Sequence, residues 1–187
     1  MSKALRKPAG AVQPLKSKRD IDRIKKALHG RDLLLFTIGI NSTLRISDIL
    51  NLRVGDVSGD YIVIREGKTD KIKRIKLNKS VKDAVNSFVV KNASPSDWLF
   101  PSRKGGKPIS RVQAWRILNA AAERAGIDNI RFGTHSMRKT AAYHAYKSGV
   151  ELPVLMRVLN HSSEKETLRY IGIESEQIDE VFESLCL

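Results

Sequence analysis

The chain has 187 residues, 41% hydrophobic and 29% charged, enough for one globular domain with a core of its own. No apolar run approaches the ~20 residues that cross a bilayer, and no apolar stretch follows the basic N-terminus to make a secretory signal. The formal net charge is +14, with pI near 10.1, so a polyanionic partner is expected.

Residues 1–16 hold Pro8, Gly10 and Pro14 among Ala, Lys and Arg and read as an extended basic arm or linker. Ser17 is an N-cap signal for a helix with Ile21, Ile24 and Leu28 on one face, and Gly30 reads as its stop. The run over 33–40, apolar but for Thr37, is a buried helix. It leads into Thr43-Leu44-Arg45, after which Ser47 and Asp48 open a short helix through Leu52. Residues 61–65 and 72–77 are β-branched and alternating, a hairpin with its turn at 67–70. Ser80 reads as the cap of a helix with Val81, Ala84, Val85, Phe88 and Val89 at helical spacing. Trp98-Leu99-Phe100, followed by Gly105-Gly106, reads as a short strand and turn. Ser110 begins a helix carrying Val112, Trp115, Leu118 and Ala122 that stops near Gly126. Thr134 reads as the N-cap of a helix over 135–148, closed by Gly149, and Pro153 fits the first turn of the next, which runs to about Leu159. A short helix then carries Tyr170. The tail over 174–187 is an acidic amphipathic helix with Ile178, Val181, Phe182 and Leu185 on one stripe. The expected class is mainly α with a small antiparallel β-hairpin, an α+β domain.

The charge is uneven. All 34 Lys and Arg precede residue 174, against 15 of the 20 acids, so that portion carries a net +19. Nucleic acid fits this best, because neutralising phosphates releases counterions. A membrane partner is not expected, since no helix joins a basic face to a broad apolar one. A single cysteine, Cys186, excludes an internal disulfide and fits a reducing, cytoplasmic setting.

Six residues form the chemical constellation: Arg45, Lys68, His135, Arg138, His161 and Tyr170. His135 and Arg138 are three apart, hence on one helix face. A guanidinium fork suits a phosphate better than an ammonium does. Lys68 lies at the hairpin tip, with Lys71 as its rival for reaching into a groove. Tyr170 is a nucleophile only with a base or cations beside it, since a phenol has pKa ~10. Each has a structural reading too. Arg45 could satisfy helix-end carbonyls, the lysines could guard an edge strand, His161 could cap a helix and Tyr170 could be a half-buried core residue. No Cys or His stands at metal-ligand spacing from either histidine, so no metal and no cofactor are expected.

Taken in order, Arg, Lys, His-x-x-Arg, His and Tyr, the set resembles the catalytic domain of the tyrosine recombinases, the phage-integrase and Xer-type family. Thr43-Leu44-Arg45-Ile46-Ser47-Asp48 looks like the first arginine box, with Thr43 where or beside where Gly is usual and Asp48 where Glu is common. Gly67-Lys68-Thr69-Asp70-Lys71 resembles the hairpin lysine box. Thr134-His135-Ser136-Met137-Arg138-Lys139-Thr140 resembles the His-x-x-Arg box. Leu159-Asn160-His161-Ser162-Ser163 resembles the Leu-Gly-His-Ser box, with Asn160 replacing Gly.

The resemblance implies a catalytic domain over 17–173 with the tyrosine-recombinase fold, and a tail over 174–187 that packs on a neighbouring protomer. It implies site-specific DNA recombination through a 3′-phosphotyrosyl intermediate, needing neither ATP nor metal. Arg45 and Arg138 would bind the phosphate, Tyr170 attack, Lys68 protonate the leaving oxygen, His135 assist deprotonation of the tyrosine and His161 hydrogen-bond the phosphoryl oxygen. Lys71, Lys73, Arg74, Arg111, Arg131 and Lys139 would contact double-stranded DNA. A dimer or tetramer on DNA, in a bacterial or phage-derived cytoplasmic, nucleoid-associated setting, is the implied assembly. Relatives usually carry a further helical domain ahead of this one, so the chain reads as an isolated catalytic domain or a short recombinase. A non-catalytic DNA-binding regulator on the same fold, or type IB topoisomerase-like relaxation, are the alternatives.

Overall fold

The computed structural model describes residues 11–68, 70–89 and 93–185, save for the side chain of Ser175. Helix α1 (Lys18–Lys26) starts at Ser17, whose hydroxyl accepts from the Asp20 N–H. It ends at Ala27 without a glycine. Gly30 instead opens α2 (Gly30–Ser42), at φ +52, where its freedom lets the chain reverse tightly between the two helices. The apolar run thus becomes the central helix, with Leu34, Leu35, Phe36, Ile38 and Gly39 buried. Helix α3 (Ile46–Leu50) follows, and then β1 (Tyr61–Arg65) and β2 (Ile72–Lys76) pair antiparallel with Tyr61 opposite Lys76 and Arg65 opposite Ile72.

Helix α4 (Lys79–Phe88) is capped by Asn78, whose side chain accepts from the Val81 N–H, so the cap falls two residues before the expected Ser80. The segment at Trp98 makes single bridges, Arg53 to Trp98 and Pro101 to Pro108, rather than a strand. Helix α5 (Arg111–Arg124) is capped by Ser110 as expected. Helix α6 (Thr134–Lys147) begins one residue early. Its N-cap is Gly133, whose N–H donates to Ser136 Oγ at 3.0 Å, so Thr134 is the first helical residue. Helices α7 (Leu152–Leu159), α8 (Glu164–Ile171) and α9 (Ile173–Ser184) complete the described chain.

Two apolar clusters result. The larger gathers α1 to α5, the hairpin and Met137 of α6. The smaller joins Ala142 and Tyr143 of α6 to Leu155, Leu159, Ile171 and Ile173. Helix α6 spans both, and it lies so close to α2 that a Cβ on Gly39 would collide with Met137. The described part of the expected arm is not free. Pro14 and Leu15 are buried, the Leu15 N–H donates to Thr140 Oγ1 at 2.8 Å, and Lys16 pairs with Glu176 at 2.9 Å. Residues 1–10 lie outside the described residues. In α9, Ile173 is buried, whereas Ile178, Val181, Phe182 and the following Leu185 are exposed. Among the described residues, no helix is long and apolar enough to cross a membrane.

Candidate active site

The site forms where the hairpin meets α6, α7 and α8, between the two clusters. Thr43 ends α2 in the left-handed region (φ 55, ψ 15), which turns the chain so that Arg45 becomes the N-cap of α3. The Arg45 side chain is 18% exposed and its Nη1 lies 3.0 Å from Glu66 Oε1. Arg138 comes from α6 and is buried. Its Nη2 donates to the Leu159 carbonyl at 2.7 Å and its Nη1 to the Thr43 carbonyl. Arg138, rather than Arg45, therefore satisfies helix-end carbonyls, those of α2 and α7. It does so close enough to Tyr170 for its charge to favour the phenolate.

His161 follows the left-handed C-cap of α7, Asn160 (φ 54, ψ 48), and its Nδ1 hydrogen-bonds Thr167 Oγ1 at 3.1 Å. Its ring meets the Tyr170 ring edge-on, centroids 4.9 Å apart. On another side, Lys139 Nζ lies 4.9 Å from the Tyr170 ring centre. Burial pushes the Tyr170 phenol up from its ordinary 10.0, and Arg138 and Arg45 only partly oppose this. The Tyr170 phenol is thus protonated at neutral pH. Burial first, then Arg111, Arg138, Lys139 and Arg45, hold His135 below the usual imidazole value. Burial likewise lowers His161, with Arg138 and Arg45 acting in the same direction and Glu166 against them. Both imidazoles are therefore neutral near pH 7 and able to accept a proton.

The hairpin divides its lysines. Lys68, at the turn, is exposed to solvent. Lys73, expected among the outer DNA contacts, lies inside the site with its side chain 15% exposed. Its Nζ donates to the Val158 carbonyl at 2.8 Å and to Thr43 Oγ1 at 3.4 Å, and stands 3.7 Å from Glu66 Oε1. Burial, then Arg138, push its pKa down to about 8. Lys71 lines a cavity of about 440 Å³ with Pro153, Met156, Arg157, Asn160, His161 and Ser162. Arg74 stacks over Tyr61, 3.5 Å from the ring centre, on the outer face of the hairpin. Arg111, at the start of α5, and Arg131 are exposed. Sequence reasoning missed Glu66, which is fully buried and linked to Arg45, Lys73 and Asn160. Its signal was an acid two residues before Lys68 in a basic hairpin. Among the described residues, no group of three or more His, Cys, Asp or Glu is placed to hold a metal ion.

The model of the phage integrase family matches residues 17–177. The chain belongs to that family. A probable integrase/recombinase of Bacillus subtilis (strain 168), YoeC, is 44% identical over 169 residues, 88% of this chain and 92% of that protein. The tyrosine recombinase XerD of Corynebacterium glutamicum is 32% identical over 158 residues, 81% of this chain but only 51% of the relative. The chain thus spans nearly all of YoeC and about half of XerD. Among solved structures, XerA recombinase superposes with TM-score 0.76 at 19% identity, covering 99% of this chain and 68% of that one. A lambda integrase dimer bound to a COC′ core site superposes with TM-score 0.66 at 16% identity, covering 88% and 61%. At such identities the structures attest the fold. Family membership makes this a site-specific DNA recombinase, an enzyme that breaks and rejoins DNA strands.

Proposed function

We propose that the recombinase cleaves one DNA strand with Tyr170 in a site supplied by its own chain. The observation that carries this reading is Tyr170 set edge-on to His161, ring centres 4.9 Å apart, with the charges of Arg138 and Arg45 both acting on its phenol. Arg45 and Arg138 bind the non-bridging oxygens of the scissile phosphate and stabilise the charge that builds there. The Tyr170 oxygen forms a bond to phosphorus as the bond from phosphorus to the 5′ oxygen breaks. The phenolic proton passes to His135, and Lys68 gives a proton to the departing 5′ oxygen. His161 donates to a phosphoryl oxygen. Because the phosphotyrosyl ester conserves the bond, a 5′-hydroxyl from a partner duplex reverses the step, with no ATP or metal.

The partner is double-stranded DNA, gripped around the cleavage site by Lys71, Arg74, Arg111 and Arg131 and beside Tyr170 by Lys139. The excess of basic charge before residue 174 and the DNA-bound dimer among the fold neighbours support this. Protomers assemble as dimers or tetramers on DNA, with the exposed stripe of Ile178, Val181, Phe182 and Leu185 packing on a neighbour.

The test is a nicked suicide duplex carrying the recombination site, incubated with wild type and with Tyr170→Phe, then resolved on a denaturing gel. A protein–DNA band in wild type that Tyr170→Phe lacks, with equal DNA binding, is the expected result. Wild type that binds the duplex and forms no adduct would leave a DNA-binding regulator. Relaxation of supercoils without joint molecules would leave a topoisomerase.

A further inference from the structure

Two left-handed residues of the site are not glycines. Thr43 and Asn160 sit at φ 55 and φ 54, where glycine is unstrained and a β-branched residue is not. Each adjoins a catalytic element: Thr43 the Arg45 turn, Asn160 the His161 turn. Each also puts its side chain to use. Thr43 Oγ1 accepts from Lys73 Nζ at 3.4 Å, and Asn160 Nδ2 donates to Glu66 Oε2 at 2.7 Å. Lys73 and Glu66 face one another at 3.7 Å at the turn end of the hairpin, and Glu66 also stands 3.0 Å from Arg45. The four residues therefore close a chain from the Arg45 turn, through both strand ends, to the His161 turn.

We propose that Thr43, Lys73, Glu66 and Asn160 form a clasp around the buried Glu66 carboxylate, in which Glu66 and Lys73 are positioning residues for strand cleavage. Its work is geometric. Glu66 is the buried carboxylate beside which the Arg45 guanidinium stands before DNA arrives, an ion contact at 3.0 Å rather than an aligned hydrogen bond. Its own backbone starts the hairpin turn, because its N–H donates to the Lys71 carbonyl and its carbonyl accepts from the Asp70 N–H, each at 2.9 Å. Asp48 ties the same turn to α3, accepting the Gly67 N–H at 3.2 Å. The hairpin that presents Lys68 is thereby fixed to the loops that present Arg45 and His161. Lys73 is the internal counter-ion: it faces Glu66 on one side and Arg138 and Arg45 on the other, and its bond to the Val158 carbonyl adds the last turn of α7. A fully buried carboxylate among three cations keeps the empty site from being a bare cluster of like charges.

The clasp rests on the cleavage reading above, and one variant separates its role from ordinary stabilisation. Asn160→Gly relieves the left-handed backbone and removes only the bond to Glu66. If Asn160 serves the clasp, the thermal midpoint stays level or rises and DNA affinity is unchanged, while single-turnover cleavage of the suicide duplex falls ten- to a hundredfold, a loss of the order that misplacement of reacting groups produces. Asn160→Asp keeps the left-handed preference but sets a second carboxylate against Glu66, and cleavage falls at least as far. Glu66→Gln is the cross-check. It retains a partner for Asn160 but loses the countercharge for Arg45 and Lys73, so cleavage falls even where urea unfolding shows the domain intact. Asn160→Gly cleaving at the wild-type rate, or losing rate only in step with its thermal midpoint, overturns the clasp. An absence of adduct from wild type in the same experiment overturns the cleavage reading, and the clasp with it, since nothing would then be positioned.

Discussion

Arg138, which we propose grips the scissile phosphate, is an arginine that the fold needs as well, so replacing it with alanine should unfold the domain more readily, even without DNA. A residue gathered only for catalysis tends to be a burden, because its charge is held among like charges for the sake of the substrate. Arg138 shows part of that burden: burial disfavours its guanidinium, and Arg45 stands close by. Its two donated hydrogen bonds outweigh this. Arg138→Ala would leave the Thr43 and Leu159 carbonyls, at the ends of α2 and α7, without the donor they now have. Each stranded carbonyl costs about 1–3 kcal/mol. Relief of cation crowding returns part of that, so a net loss of about 3 kcal/mol is expected, within the range for breaking a buried polar network. For a chain of this size that is a fall in Tm of roughly 6–12 °C.

Circular dichroism melts and urea titrations of the DNA-free protein measure it directly. Arg138→Lys is the informative companion. An ammonium cannot reach both carbonyls as a planar fork does, so about half of the loss should remain. Tyr170→Phe removes one hydroxyl and leaves both carbonyls bonded, so its melt should stay within about 1 kcal/mol of wild type. If Arg138→Ala melts within a degree or two of wild type, or higher, the carbonyl argument fails and Arg138 is held in place for the substrate alone.

Four further outcomes follow from the structure. Cleavage should hold level down to the ordinary imidazole value of 6.5 and fall only below it, because His135 and His161 resist protonation. The unfolded imidazoles take up protons first, so stability also falls as pH drops below 6.5, as pH-dependent urea midpoints would show. At the other end Lys73 loses its proton near pH 8 in the fold but near 10.5 when unfolded, so stability gains with pH across that window while cleavage declines; Lys73→Met should remove both trends. Ending the chain after Glu176 keeps that residue's bonds to Lys16, Lys147 and Tyr143 but deletes the exposed stripe, so melting should be unchanged while the DNA-bound species shrinks on sizing; an unaltered assembly would place the stripe outside the interface. Leu15→Ala should cost about 2–5 kcal/mol, because the segment before α1 is packed rather than trailing, and a neutral melt would return it to the status of a free arm.

How much of this was written legibly in the sequence depends on how local each signal is. His135 and Arg138 declare their common face by spacing, and Ser17, Ser110 and Pro153 mark helix starts through chemistry within one turn. Where two polar residues compete for a cap the reading slipped, as with Ser80 and Asn78, because only the tertiary position of the strand exit selects between them. The hairpin was harder. In Ile72-Lys73-Arg74-Ile75-Lys76 either set of alternate residues could face inward. Pairing decides it: Ile62 stands opposite Ile75 and Ile64 opposite Lys73, so the inward face continues from isoleucines to a lysine, and Ile72 is left 70% exposed. A basic strand conceals that choice, since every lysine in it resembles a surface phosphate contact.

The same limit explains why Thr43 and Asn160 looked like blemishes. Judged one position at a time, each puts on a left-handed backbone a residue that fits it less well than glycine would, an effect confined to its own turn. Their meaning lies in a pairing across the sequence. Asn160 matters because Glu66 stands 94 positions away, and Thr43 because Lys73 stands 30 away. Neither Glu66 nor Lys73 carries a motif of its own, and neither would tolerate burial without the other and its hydrogen-bonding partners. The substitutions that depart from the family pattern and the buried charges that no pattern singles out are thus one feature. Restoring glycine at one end would ease the backbone there while leaving the charged pair at the other without its anchor.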